Sequence, residues 1–488
     1  MLETALQQGS NMLANPATEI VVAEAQLLEL QQEYWQTTVR KTTASQRIDK
    51  LNNMRKWIVA HQDDIRKALF DDFRKPEPEV DTFDIKPVLG AIEEVKTHLV
   101  SWMTPKNVQG NILYTGTTAQ IVYEPKGVAL IIAPWNFPFM LALEPLVSAI
   151  AAGCCAVVKP SEMTPNTAQL LYKMLTELFD EREVAVRLGD ALVSQALLKQ
   201  PFDHIFFTGS PQIGKHVMRA AAEHLTSVTL ELGGMNPVII DESADIRDTA
   251  EKLIWGKFLN CGQSCLSINY VLANNRIYDR LIKELQGALE RLYGNPELMQ
   301  NNPDFARIVN NQHYKRVKKI LDNSLDAGAK LVAGGVCNPA ENYISPTILK
   351  DVPLDAAVFE EEIFGPILPI SKYKDIEEVI SIINARPKPL AVYIFAKTDR
   401  FSNNIIAQTS AGTTCINDTT IQFAHPGLPF GGSNYSGIGK AHGHYGFLAF
   451  SNERSVLKQR RGITSFKLVY PPYTQKVKQA IQLVMKYL

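Results

Sequence analysis

Cys265 closes a short polar segment, Asn260-Cys261-Gly262-Gln263-Ser264-Cys265, that follows an apolar stretch with helical spacing. A cysteine thiolate is a strong nucleophile near neutral pH, and amides around the sulfur favour that form. The alternative is a small buried hydrophobe, the usual fate of a single cysteine. Gly262 and its polar neighbours favour a turn over a core strand. Zinc is a weak alternative. There is no CxxC pair, and His442 and His444 stand as an isolated couple, so no metal is expected.

Four other segments carry groups that could serve such a nucleophile. Glu231 opens Glu231-Leu232-Gly233-Gly234 after the apolar run 228–230. A carboxylate at the carboxyl end of a parallel strand sits where ligands bind. Partly desolvated, it is a general base for water; the alternative is a solvated loop acid. Asn136 lies between prolines in Pro134-Trp135-Asn136-Phe137-Pro138. It is either a turn former or an amide donor to a developing oxyanion. Gly209 and Ser210 lie in 207–215, where a strand pattern meets a helix pattern. That segment matches GxxxxGK, but His216 stands where a P-loop needs Ser or Thr, so a nucleotide kinase is excluded. A dinucleotide turn and an ordinary strand-to-helix turn stay open. Lys159 and Glu162 follow the run 155–158 and suit either ribose hydroxyls or a capped helix start.

Elements that could position these groups alternate along the chain. At 488 residues the chain exceeds one ordinary core. Helices are expected over about 20–75, ended by Pro76 and Pro78, and an extended arm over 113–122. Strands at 128–132, 155–158, 204–207 and 228–230 then alternate with helices at 141–151, 166–179 and 213–224. A second alternation has strands at 238–240, 269–272, 367–372, 391–396 and 412–416, with helices at 246–259 and 278–293. Short apolar runs spaced by helices imply right-handed crossovers and parallel sheets. The fold class is therefore α/β. The stretch 127–158 imitates a membrane span, but Pro134, Asn136 and Pro138 break it, so it reads as strand, turn and helix.

Composition sets further bounds. Lys plus Arg (50) balances Asp plus Glu (51), and a net charge of -1 supplies no global field for nucleic acid or anionic membrane. Six cysteines in 488 residues form no disulfide framework. The first basic residue is Arg40, so no targeting signal is read, and a reducing, cytoplasmic location is expected.

Taken in chain order, these segments and Glu361-Glu362-Ile363-Phe364-Gly365-Pro366 resemble the aldehyde dehydrogenase superfamily from about residue 51 to 457. The segments 207–215, 229–234, Gly262-Gln263-Ser264-Cys265, 428–437 and Tyr470-Pro471-Pro472-Tyr473 resemble its class 3 and fatty-aldehyde branch. That resemblance implies a Rossmann-like parallel-sheet dinucleotide-binding domain (1–103 and 125–231), a second α/β catalytic domain (232–423), a bridging and oligomerisation β-arm (104–124 and 424–455) and a tail (456–488). It implies Cys265 as nucleophile, Glu231 as base, and Asn136 with the Cys265 N–H as oxyanion hole. It assigns cofactor contact to Trp135, Lys159, Glu162, Gly209, Ser210, Glu362 and Phe364. Charge repulsion between Glu162 and a 2′-phosphate favours NAD; the branch also contains enzymes that accept NADP. The family commonly has Lys after Glu-Leu-Gly-Gly, and Met235 stands here.

The implied activity is NAD(P)-dependent oxidation of aldehydes to acids through a Cys265 thioester. Rivals are a nucleotide-independent esterase or thioesterase, a non-catalytic protein on the same fold, and acyl transfer to coenzyme A, against which Glu231 argues. Phe137, Met140 and Leu259 suggest a hydrophobic tunnel for medium- or long-chain, aromatic or isoprenoid aldehydes. No Arg beside the motifs is placed to hold a semialdehyde carboxylate. The arm implies a homodimer. The tail spaces Val477, Ile481, Val484 and Leu488 on one helical face with Lys476, Lys478 and Lys486. Docking on protein is the favoured role for it, peripheral membrane contact the alternative.

Overall fold

The computed structural model describes residues 16–111, 114–295, 298–462, 464, 466–467 and 470–487. The first 15 positions, Leu113 and Leu488, which figure in the expectations above, lie outside these. The first sheet is six-stranded, in the order Gly437–Ile438, Ser227–Leu232, His204–Gly209, Val128–Ile132, Cys155–Lys159 and Val184–Val186. Every pairing is parallel except that of Gly437–Ile438. Val128 and Leu130 pack into one core with Cys155 and Val157. Ala129 and Ile131 pack into another on the opposite face with Ala156 and Val158. Burial on both faces explains why these strands read as unbroken apolar runs.

The second sheet has seven strands, in the order Lys330–Ala333, Thr347–Lys350, Ile367–Tyr373, Tyr270–Asn274, Pro237–Ile240, Ala391–Phe395 and Thr413–Ile416. Only its outermost strand, Lys330–Ala333, is antiparallel to its neighbour. A third sheet is antiparallel: Thr117–Pro125 lies between Lys106–Val108 and Ser451–Gln459, with Ser451 opposite Pro125 and Gln459 opposite Thr117.

Several local expectations are corrected. Pro76 and Pro78 do not end the helical region. Pro76 caps Glu77–Val80 and Pro78 lies in its first turn, where a missing N–H costs no helix bond. The chain then runs through the wide turn Asp81–Ile85 into the helix Lys86–Met103. The strand 228–230 extends to Leu232, so Glu231 lies inside it. The arm strand passes the expected limit at 455 and reaches Gln459. Gly437–Ile438, expected in the arm, completes the edge of the first sheet. No helix among the described residues is long and apolar enough to cross a membrane.

Candidate active site

The strand Ser227–Leu232 carries Glu231. Leu230 and Leu232 point into the core on one face of the sheet, so Glu231 points to the other. There it lines a small cavity of about 40 Å³ with Thr208, Leu141, Phe430 and Cys265. Neither carboxyl oxygen of Glu231 has a hydrogen-bond partner in the protein. Burial pushes its pKa well above the ordinary carboxylate range, and Lys440 opposes that only in part.

Cys265 ends a loop that holds an unusual backbone shape. Asn260 and Cys261 have φ of 51° and 56°, and Gly262 has φ of 73°. A Cβ on Gly262 would stand 2.4 Å from the Gly365 carbonyl, so only glycine fits that position. Side chains hold the strained turn. Asn260 Nδ2 donates to Asn136 O at 2.8 Å and to Gln263 O at 3.1 Å. Gln263 Nε2 donates to Asn260 O at 3.0 Å and Arg307 O at 2.9 Å, while its Oε1 accepts from Val309 N. Asn136 Nδ2 donates to Gln263 O at 3.1 Å, which fastens the Pro134–Pro138 turn to the cysteine loop. Backbone N–H groups of Cys265 and Leu266 face the sulfur, but burial and the carboxyls of Glu362 and Glu231 outweigh them and push the thiol up to about 12. Burial therefore favours the thiol over the thiolate, so attack needs a base to take the proton.

Glu362 lies in a pocket that glycine creates. A Cβ on Gly233 would stand 2.2 Å from Glu362 Oε2. The Gly234 N–H donates to this carboxyl, whose pKa is raised by burial to about 8. Arg316 donates to the carbonyls of Glu362 and Ile363 at 3.1 and 2.8 Å and fixes the loop. Phe364, with φ of 46°, packs edge-on to Trp135 at 5.2 Å. Met235 packs against the core of the second sheet.

Lys159 and Glu162, Gly209 and Ser210, and Trp135 with Asn136 follow the carboxyl ends of three adjacent parallel strands. Lys159 Nζ is buried, donates to Pro160 O at 2.8 Å and meets Glu162 at 3.1 Å. A lysine has three N–H donors, so one remains for a hydroxyl. Ser210 caps the helix Pro211–Ala222 by accepting from Ile213 N. A helix N-terminus, and a lysine with a spare donor beside an acid, at the carboxyl ends of parallel strands are groups that suit a dinucleotide.

Phe137 and Met140 are buried core side chains and Leu259 caps the helix Ile246–Phe258; none of the three lines the cavity at Cys265 or the one adjoining it. Lys75, paired with Asp84 at 2.6 Å, lies 3.8 Å over the Phe137 ring. One wall of the Cys265 cavity comes from Leu141, Glu144, Pro145 and Ser148. Their spacing marks one face of the helix Met140–Ala152, one step round from Met140. Beyond Glu144 and His442 the small cavity gives way to a larger one of about 530 Å³, walled by Phe83, Trp255, Ile421 and Phe423. Helical spacing from Leu141 reaches Glu144, Pro145 and Ser148; the far wall carries no local signal.

A cysteine and a buried carboxyl that line one cavity, on a fold of parallel sheets, suit an oxidoreductase that works on a carbonyl carbon. The chain belongs to the aldehyde dehydrogenase family, whose model matches residues 16–456. It is 41% identical over 433 residues to the 4,4′-diaponeurosporen-aldehyde dehydrogenase of Staphylococcus aureus, covering 88% of this chain and 93% of that one. It is 40% identical over 430 residues to aldehyde dehydrogenase family 3 member A2 of Rattus norvegicus, covering 88% and 87%. The solved substrate-bound AldH of Staphylococcus aureus matches with a TM-score of 0.89 at 39% identity, covering 94% of this chain and 99% of that one.

Proposed function

We propose that this aldehyde dehydrogenase oxidises hydrophobic aldehydes (medium- or long-chain aliphatic, aromatic or isoprenoid) to carboxylic acids through a thioester on Cys265, with NAD preferred and NADP accepted. One observation carries the reading: Cys265 and Glu231 line one cavity, and a largely apolar vestibule adjoins it. The relative named for 4,4′-diaponeurosporen-aldehyde supports the isoprenoid end of the range.

The chemistry follows from the side chains. Glu231, basic because it is desolvated, takes the Cys265 proton and Sγ attacks the aldehyde carbon. Asn136 Nδ2 and the Cys265 N–H receive the oxyanion; Asn136 turns from Gln263 O to do so. A bound dinucleotide supplies the hydride acceptor. Lys159 and Glu162 would hold its adenosine ribose, the turn at Gly209 and Ser210 its pyrophosphate, and Glu362 its second ribose, with Phe364 and Trp135 near the nicotinamide. A thioester remains on Cys265. Glu231, once it has passed the first proton to solvent, deprotonates water, which attacks the thioester; the C–S bond breaks, the acid leaves, and Sγ takes a proton back from Glu231. Exposed Leu483 and Met485 on the helix Gln475–Tyr487 support its docking on a second subunit or a membrane surface. A cytoplasmic homodimer joined through the arm completes the reading.

The test compares decanal with succinic semialdehyde at saturating NAD, for wild type and Cys265→Ala. Decanal should be preferred, and the variant should bind NAD but oxidise neither. Preference for the semialdehyde would defeat the substrate class. Ester hydrolysis with no NADH formed from any aldehyde would defeat the redox reading.

A further inference from the structure

Glu144 and His442 line both cavities, so they stand where the catalytic chamber meets the vestibule. The walls on either side are mainly apolar: Leu141, Pro145 and Phe430 within, Phe83, Trp255 and Phe423 without. A carboxyl here is costly to bury. Its Oε2 makes no hydrogen bond, and His442 Nε2 faces it from 3.4 Å away. A buried polar atom left unpaired in a binding passage asks for a ligand group.

The chemistry of that group follows from the pair. His442 Nδ1 lies 3.2 Å from Phe423 O, and a carbonyl oxygen only accepts, so Nδ1 carries a proton. The ring is held by stacking on Phe430, 4.8 Å between centroids and 9° from parallel. A bare Nε2 facing a bare carboxylate oxygen would be repulsive, so one of the two carries a proton, and with Oε2 making no hydrogen bond across the 3.4 Å gap that proton is left for a third group. The pair therefore has no net charge, yet keeps one donor and several acceptors. It has no excess charge to hold an ammonium or a carboxylate. A hydroxyl, which donates and accepts at one atom, is its complement. An unsubstituted alkyl chain would strip water from the pair and return nothing.

We propose that Glu144 and His442 form a hydroxyl-reading constriction, which selects aldehydes whose hydrophobic chain carries a hydroxyl group at the depth of the pair. This deepens the aldehyde-oxidising reading and rests on it. Glu144 and His442 thereby set specificity, while Cys265 and Glu231 do the chemistry.

The experiment measures kcat/KM for wild type, Glu144→Gln and Glu144→Leu on alkanals of about eight to twelve carbons, each paired with isomers in which a hydroxyl is walked along the chain. A site built to bond a hydroxyl discriminates strongly against the analogue lacking it, so one position should beat its parent by about tenfold or more in wild type. Glu144→Leu should abolish that preference and raise kcat/KM for the parent alkanals. Glu144→Gln, which still offers a donor and an acceptor, should keep part of it. Should the leucine variant misfold, product inhibition of wild type decides: the favoured hydroxy-acid should inhibit at lower concentration than its parent acid. Equal efficiency at every position, a preference that survives in Glu144→Leu, or a preference for amino- or carboxy-aldehydes overturns the inference alone. Oxidation of neither series by wild type overturns it together with the aldehyde reading.

Discussion

Replacing Gly233 with alanine should separate hydride transfer from nucleophilic attack. The added Cβ would lie 2.2 Å from Glu362 Oε2 and 2.6 Å from Oε1, where ordinary contact begins at 3.4 Å. Relief requires more than 1 Å of movement, and the backbone of Gly233 cannot supply it, because its neighbour Gly234 lies against Pro389 and Leu390. The carboxyl of Glu362 must move, and it then loses the Gly234 N–H that holds it. A misplacement of about 1 Å in a positioning group can cost on the order of 100-fold in rate. Dehydrogenase kcat/KM should fall by about that factor, with a raised KM for NAD. Cys265, Asn136 and Glu231 are untouched, so nucleotide-independent hydrolysis of p-nitrophenyl acetate should stay within about threefold, a change of well under 1 kcal/mol. The assay runs both reactions on one preparation. Equal losses in the two would refute the reasoning, since the glycine would then be serving the cysteine; so would dehydrogenase activity close to wild type.

Glu231→Gln should lower steady-state turnover by about 100- to 10,000-fold, the usual worth of a positioned base. The rising limb of the wild-type pH–rate profile should lie well above the ordinary carboxylate range, because burial holds the proton on Glu231 and activity grows as pH removes it; the glutamine variant should lack that limb. Glu362→Gln should flatten the dependence of stability on pH. The Glu362 pKa is raised from 4.5 to about 8, so the folded chain holds a proton that the unfolded chain releases, and wild-type stability falls as pH rises across that window. Urea unfolding at pH 5 and pH 9 measures the difference. Asn260→Gly keeps the left-handed backbone and removes two buried hydrogen bonds, a loss of about 2–4 kcal/mol. Asn260→Ala should lose more, because alanine resists a φ of 51°; urea midpoints that rank the two the other way would count against the loop analysis.

Much of the architecture was legible because buried parallel strands are written as uninterrupted apolar runs. Val128–Ile132 and the helix Tyr278–Tyr293 fall where the pattern puts them. The strand holding Glu231 reads short for the same reason: a charged residue interrupts the run, although its side chain is buried. Proline is ambiguous at helix ends, so Pro76 and Pro78 read as a stop when they mark a start. A helix offers a cavity only one face, which the sequence alone does not mark. Choosing Leu141 over Met140 requires knowing the rotation of Met140–Ala152. Gly437–Ile438 has two residues and a partner some two hundred positions earlier, so nothing local announces it. The rise in the Cys265 pKa comes first from burial and then from Glu362 and Glu231, and only the folded chain supplies all three.

The pairing of Gly437 with Glu231 also orders the making of the enzyme. During synthesis the strand Ser227–Leu232 leaves the ribosome long before its outer neighbour exists. Until residue 438 has emerged, that strand is a bare rim with unpaired amides, open to any other extended chain. The nascent protein can already hold its dinucleotide sheet at that stage, but the rim beside the base is unfinished. Truncations ending between 232 and 436 should therefore aggregate, and only chains that reach the last arm strand should become competent.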